Sequence, residues 1–144
     1  MLLNNCLRKR LGERGAALLE LSLLAPWVCF LFVGALDWGY YAYELITLET
    51  ATRSAAVYES GLGSVSNAAA CTIVLNEMSS LLNMGSVTTC GSSPLVVSAT
   101  QITGPDNSNA AQVSVTYTTP QMIPIPGLLA GKFTITRTVK VRMG

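Results

Sequence analysis

Apolar residues are unevenly spread along this chain. From Ala16 to Leu36 a single charged residue, Glu20, interrupts an otherwise uncharged and mostly apolar run. Wound as a helix, that run is about 31 Å long at 1.5 Å per residue. A bilayer's hydrocarbon core is roughly 30 Å thick, so the run predicts a transmembrane helix. A buried core helix is the alternative, but such helices seldom need so long an unbroken apolar stretch. Further on, Leu45, Leu48, Thr52, Ala55 and Glu59 recur at helical spacing beside Ala51 and Ala56. Glu49 precedes Arg53 by four residues, the favourable order for a helical ion pair. No breaker appears before Gly61-Leu62-Gly63, so one helix is expected from Ala16 to Glu59.

The remaining pattern is that of a small mixed domain. Asn67–Leu82 reads as a second helix, capped by Ser66 or Asn67 and ended by Gly85. Strands are expected at Ser86–Thr89, Leu95–Thr103, Gln112–Thr118 and Lys132–Arg142. The last alternates, with Phe133, Ile135, Val139 and Val141 on one face and Thr134, Thr136, Thr138, Lys140 and Arg142 on the other. Arg137 falls on the apolar face, which requires a partner or an edge position. Residues Gly104 to Asn109 form the turn of a hairpin. The predicted class is α+β: a long N-terminal transmembrane helix continuing into a small head, where a second helix packs on a three- or four-stranded antiparallel sheet. The expected segments are a cytoplasmic leader (1–15), a membrane helix with its helical shaft (16–60) and an extracytoplasmic head (61–144).

Composition and charge sharpen this picture. Of 144 residues half are hydrophobic and 12% charged, with mean hydropathy +0.44. Soluble domains carry about 25% charged residues. The net charge of +1 argues against nucleic-acid binding. The absence of His removes the Ser-His-Asp arrangement and most catalytic zinc sites. Glu77 and Asp106 are the only acids of the head. Neither an enzyme nor a cofactor or metal site is expected. Arg8, Lys9, Arg10 and Arg14 precede the apolar run, and the positive-inside rule then leaves the N-terminus in the cytoplasm and the C-terminal part outside. Asp37, Trp38, Tyr40, Tyr41 and Tyr43 follow the run as an aromatic belt at the outer interface. A removable signal peptide fits poorly, because the run is long and no good small-x-small site follows it.

The junction of leader and span reads Arg14-Gly15-Ala16-Ala17-Leu18-Leu19-Glu20. A basic leader, a Gly, a small residue and a Glu five positions after the Gly resemble the cleavage motif of type IV prepilins. The resemblance places cleavage between Gly15 and Ala16 and makes Glu20 the fifth residue of the mature chain. A carboxylate costs up to roughly 3 kcal/mol at the centre of a membrane helix, less near its end. After cleavage the Ala16 ammonium would lie one turn away, so Glu20 could pair with it or with that of a neighbouring subunit and set axial register. The alternative is a Glu20 that reaches water at the interface. The wider context resembles TadE-like proteins, minor pilin-like components of tight-adherence (Tad/Flp) pili. It runs through Pro26, the Asp37-Trp-Gly39-Tyr-Tyr group and Thr50-Ala51-Thr-Arg53-Ser-Ala55-Ala56. Leu21 stands where Flp-type pilins carry an aromatic residue.

Pro26 removes one backbone hydrogen bond and is expected to kink or loosen the helix near Ser22, unless it is simply a tolerated membrane proline. Ala35 and Gly39 form a small-xxx-small pair that suits close helix packing. Cys71 and Cys90 lie outside the membrane and are expected to pair; two buried free thiols are the alternative. Cys6 falls in the leader and Cys29 in the span, where it should be unpaired. The apolar, Pro-rich stretch Thr119 to Gly131 either covers the core or docks on a neighbouring subunit or the membrane.

The resemblance implies a structural pilin-like (pseudopilin) role in pilus assembly. The implied partners are other pilins of the same system, a prepilin peptidase, an inner-membrane assembly platform and membrane lipid. The implied location is the inner membrane, as a single-pass protein that can enter the pilus. The competing reading is an uncleaved, signal-anchored binding or adhesion module.

Overall fold

The computed structural model describes residues 2–120 and 132–144, with side chains from Leu18 onward. The chain is α+β. Its elements are α1 (Leu2–Gly61), α2 (Asn67–Met78), β1 (Gly91–Ser92), β2 (Leu95–Thr103), β3 (Asn109–Thr118) and β4 (Thr134–Arg142). It divides into two compact units, Met1–Gly39 and Tyr40–Gly144. The first consists of helix alone. Helical structure continues unbroken through Pro26, and the Ser22 hydroxyl donates to the Leu19 carbonyl at 2.8 Å rather than to a group freed by the proline.

The second unit holds the rest of α1, α2 and the sheet. The four strands run in the order β1-β2-β3-β4, every neighbouring pair antiparallel. One face of the sheet is apolar: Leu95, Val97 and Ala99 of β2 and Ala111, Val113, Val115 and Tyr117 of β3 are buried on it. Leu48, Ala51, Ala55 and Ala56 of α1 and Ala70, Val74 and Met78 of α2 complete the same core. The small α1 residues carry the contact, since alanine buries apolar surface without losing side-chain rotamers. The opposite face of the sheet is polar, and Ser114–Thr138 and Thr116–Thr136 hydroxyl pairs join β3 to β4 at 2.9 Å each.

Several expectations shift here. The helix ends at Gly61 as the glycines require, but α2 stops at Met78, well before Gly85. The Ser79 hydroxyl bonds back to the Asn76 carbonyl, and a chain of turns follows, Leu81 N–H to Met78 O and Met84 N–H to Leu81 O. Those turns bury Leu81 and Met84. Ser66 is the N-cap, yet neither it nor Asn67 caps with its side chain. Asn67 Oδ1 instead accepts the Ala99 N–H of β2 at 2.6 Å. The strand expected at Ser86–Thr89 is absent; only the two residues of β1 pair with β2. Strand β3 begins three residues earlier than expected, at Asn109, and β4 begins at Thr134 rather than Lys132.

The β2–β3 turn forms as expected. Gly104 N–H donates to Ser108 O at 2.7 Å, and Asn107 takes a positive φ of 61°. A Cβ on Gly104 would lie 2.8 Å from Asp106 Oδ1, so the turn is built for glycine there. Arg137 is solved by position: β4 is an edge strand, and the side chain is exposed although its register partner Val115 is buried.

Candidate functional site

The candidate site begins with the membrane segment of α1. No residue from Leu18 to Leu36 is buried; Leu18, Leu23, Trp27, Leu31 and Phe32 are each about two-thirds or more exposed. An apolar helix this exposed among the described residues suits lipid or other helices around it. Glu20 lies in this segment with its side chain exposed. The peptide bond between Gly15 and Ala16 falls inside α1. Ala16 and Glu20 are four residues apart, and that spacing puts both on one face of the helix. The side chains of Arg8, Lys9, Arg10, Arg14, Gly15 and Ala16 lie outside the described residues. So do Gln121 to Gly131, most of the expected Pro-rich loop.

The disulfide is present. Cys71 of α2 and Cys90, just before β1, are bonded with Cα atoms 5.7 Å apart. Cys29 is free and exposed in the span. Among the described residues no group of three or more Cys, Asp or Glu could hold a metal ion.

The tyrosines after the span have a use beyond an interface belt. Within the second unit, Tyr40 Oη accepts the Leu82 N–H at 3.0 Å, and the Tyr43 and Ser80 hydroxyls share a hydrogen bond of 3.1 Å. Tyr41 meets Phe133 edge-on with ring centroids 5.7 Å apart. They fasten α1 to the turn after α2 and to the start of β4. Burial, ahead of an opposing hydrogen bond from Leu82, pushes the Tyr40 hydroxyl above its ordinary range.

Two carboxyl groups sit inside this unit: Glu44, which the pattern reading left out, and Glu59, which it placed in the helical series. Glu44 is 2% exposed and takes a hydrogen bond of 3.0 Å from Tyr117 Oη. Glu59 is fully buried; its Oε2 accepts the Ser66 N–H at 2.7 Å, while its Oε1 has no partner among the described residues. The bond to Ser66 ties the end of α1 to the start of α2. Both residues were findable: Glu44, Leu48, Ala51, Ala55 and Glu59 follow one another by four, three, four and four, a single helical stripe. Burial, ahead of Glu44 and Tyr40 nearby, pushes the Tyr117 hydroxyl far above the ordinary phenol range, so it remains a donor.

The outward face of α1 in the same unit stays bare. Ile46, Val57 and Tyr58 are all more than half exposed and line an open depression with Glu49, Thr50, Arg53 and Ser54. The arrangement provides two helical contact surfaces, apolar in the span and mixed beyond it, and no reaction centre among the described residues. No curated protein and no solved structure matches the chain. Residues 15–57, which begin at the glycine of the leader junction and take in the whole span, match the family model of the TadE-like protein, so the similarity to that family lies in this stretch.

Proposed function

We propose that the chain is a minor pilin-like (pseudopilin) structural component of a Tad-type pilus or a related secretion machine. It acts in assembly by packing its long helix against the helices of other subunits. The observation that carries this reading is the coincidence of the TadE-like match with a helix whose apolar span has no fully buried residue among the described ones. The family is associated with Tad pili, and one apolar N-terminal helix suits a single-pass membrane anchor. In this reading a prepilin peptidase cuts between Gly15 and Ala16. The new ammonium at Ala16 and the Glu20 carboxylate, one turn on, neutralise one another within or between subunits. Such a pair fixes axial register, because a carboxylate left alone among packed apolar helices is costly.

The test is the intact mass of the membrane-extracted protein, made with and without the host's prepilin peptidase. A chain that starts at Ala16 only when the peptidase is present supports the proposal. A chain starting at Met1 in both hosts overturns processing and favours a permanently anchored binding or adhesion module. If processing occurs, Glu20→Ala should leave the mass of the mature chain lower only by the substitution while reducing its recovery in sheared pili.

A further inference from the structure

The tyrosines that open the second unit hold exposed apolar side chains beside them. Tyr40 Oη accepts the Leu82 N–H, and Leu82 itself is 68% exposed. Tyr41 meets the ring of Phe133, which is 54% exposed. Leu82 and Phe133 come from distant parts of the chain, yet a run of hydrogen bonds ties them together. Asn83 Nδ2 donates to the Thr118 carbonyl at 3.1 Å. Next to it, the Thr119 N–H donates to the Phe133 carbonyl at 2.9 Å and the Phe133 N–H to the Thr119 hydroxyl at 3.0 Å. One end of the second unit therefore carries Tyr43, Leu82 and Phe133, all exposed, with Lys132 exposed beside Phe133.

Chain connectivity fixes what lies next to this end. The apolar run stops at Leu36, and Tyr40 is four residues on. Four residues rise about 6 Å in a helix and reach at most about 14 Å when fully stretched. The headgroup layer on each side of a bilayer is roughly 5–7 Å deep. With the apolar run across the bilayer, Tyr40 and the groups it holds stand at headgroup level. We propose that, in the membrane-held subunit, this end of the head lies on the lipid surface, with Leu82 and Phe133 seated among the headgroups and the Lys132 ammonium at their phosphates. The proposal rests on the reading of α1 as a membrane anchor.

The chemistry of this end fits that partner. Aromatic rings favour the headgroup layer, and lysine anchors a protein there through its charge. Of the second unit's acids, Glu44 and Glu59 are buried. Asp106 sits in the turn at the far end of the ten-residue β3, roughly 30 Å off at 3.4 Å per residue. Glu49 and Glu77 are exposed, nine residues past Tyr40 and five before Leu82. Residues 121–131, which follow Pro120 and rejoin the described chain at Lys132, contain no ionisable side chain.

The experiment uses the full chain with Cys6→Ser and Cys29→Ser, reconstituted in vesicles of phosphatidylcholine and phosphatidylglycerol. A nitroxide is placed in turn at Leu24→Cys, Leu82→Cys, Phe133→Cys and Thr103→Cys. Its access to oxygen, which partitions into lipid, is compared with its access to a water-soluble nickel chelate. Leu24 marks the hydrocarbon, and the exposed Thr103, at the far end of β2, marks the water. Labels at Leu82 and Phe133 are expected between the two, with a ratio of oxygen to chelate access several-fold above that at Thr103. Lys132→Gln should lower that ratio. If Leu82 and Phe133 match Thr103 while Leu24 is shielded from the chelate, the span stands and the docking is overturned. If Leu24 is open to the chelate, the anchor reading fails and the proposal with it. Labels shielded from oxygen and chelate alike are covered by protein, a second copy or this chain's own residues, and overturn the lipid assignment. A second reading leaves Leu82 and Phe133 in place. A lipid carrying a paramagnetic chelate on its headgroup should broaden the nuclear resonances of Leu82 and Phe133 and spare those of Thr103. Equal broadening at all three overturns the proposal.

Discussion

One helix, α1, passes through two environments. From Leu18 to Leu36 none of its residues is fully buried, and its backbone pairs within the helix apart from the bond that Pro26 removes. From Glu44 to Glu59 it buries a stripe every third or fourth residue against the head. The secondary structure is the same, but what holds it differs. The first stretch is held by main-chain hydrogen bonds within the helix, all but the one that Pro26 removes, as hydrocarbon demands. The second is stable because Leu48, Ala51, Ala55 and Ala56 join a core that collapses only when the sheet forms. Damage to one should therefore leave the other intact.

The sharpest way to break that comparison is a matched pair of truncations. Leu48→Ala should cost the head about 2–5 kcal/mol, because Leu48 is fully buried. Leu24→Ala in the span should leave unfolding of the head unchanged, as urea denaturation in detergent would show. Equal losses would mean that the two stretches share one folding unit. Next in size, Cys71→Ser should remove about 3 kcal/mol through the opened loop between α2 and β1. The same loss should appear in wild type after reduction and not in the variant. Asn67→Ala should cost about 1–2 kcal/mol, since it strands the Ala99 N–H that β1 is too short to reach. Hydrogen exchange at Ala99 should accelerate ahead of its β3-paired neighbours.

The smallest effect concerns acid. Asp106 accepts from the Ser108 hydroxyl and N–H, which lowers its carboxyl below the ordinary range, and it lies 3.2 Å from Arg142. A lowered carboxyl stabilises the fold above its unfolded pKa, and that contribution is lost as pH falls through the folded value. The group is fully exposed, so Asp106→Asn should shift the acid limb of stability only slightly.

Much of this molecule was legible in the residue pattern, and for physical reasons. The strand expected at Leu95–Thr103 is β2 at its observed bounds, and period-two alternation set β4 as a half-apolar strand. The Gly61-Leu62-Gly63 breaker ended α1 where expected. The errors cluster where local and long-range demands conflict. The end of α2 was misread because Leu81 and Met84 are drawn into the core by a turn whose signal, Ser79-Ser80, is weak beside a later glycine. Ser86–Thr89 has strand-like residues but no strand beside it to pair with. Glu44 escaped notice because a carboxyl on an apolar stripe reads as an interruption, although it sits in step with Leu48 and Ala51.

By itself the sequence determined the membrane-length apolar helix, the basic leader before it and the α+β class. Each rests on length, local charge or periodicity, which neighbouring residues carry without help from the rest of the chain. Only the tertiary structure decided that Tyr40, Tyr41 and Tyr43 fasten the helix to the head. The same holds for Asn67, which serves a strand instead of its own helix, and for Glu44, which meets Tyr117 in the core. Those contacts join residues more than thirty positions apart. Their energy depends on burial and on the count of donors and acceptors in one place, and neither exists until the chain has folded.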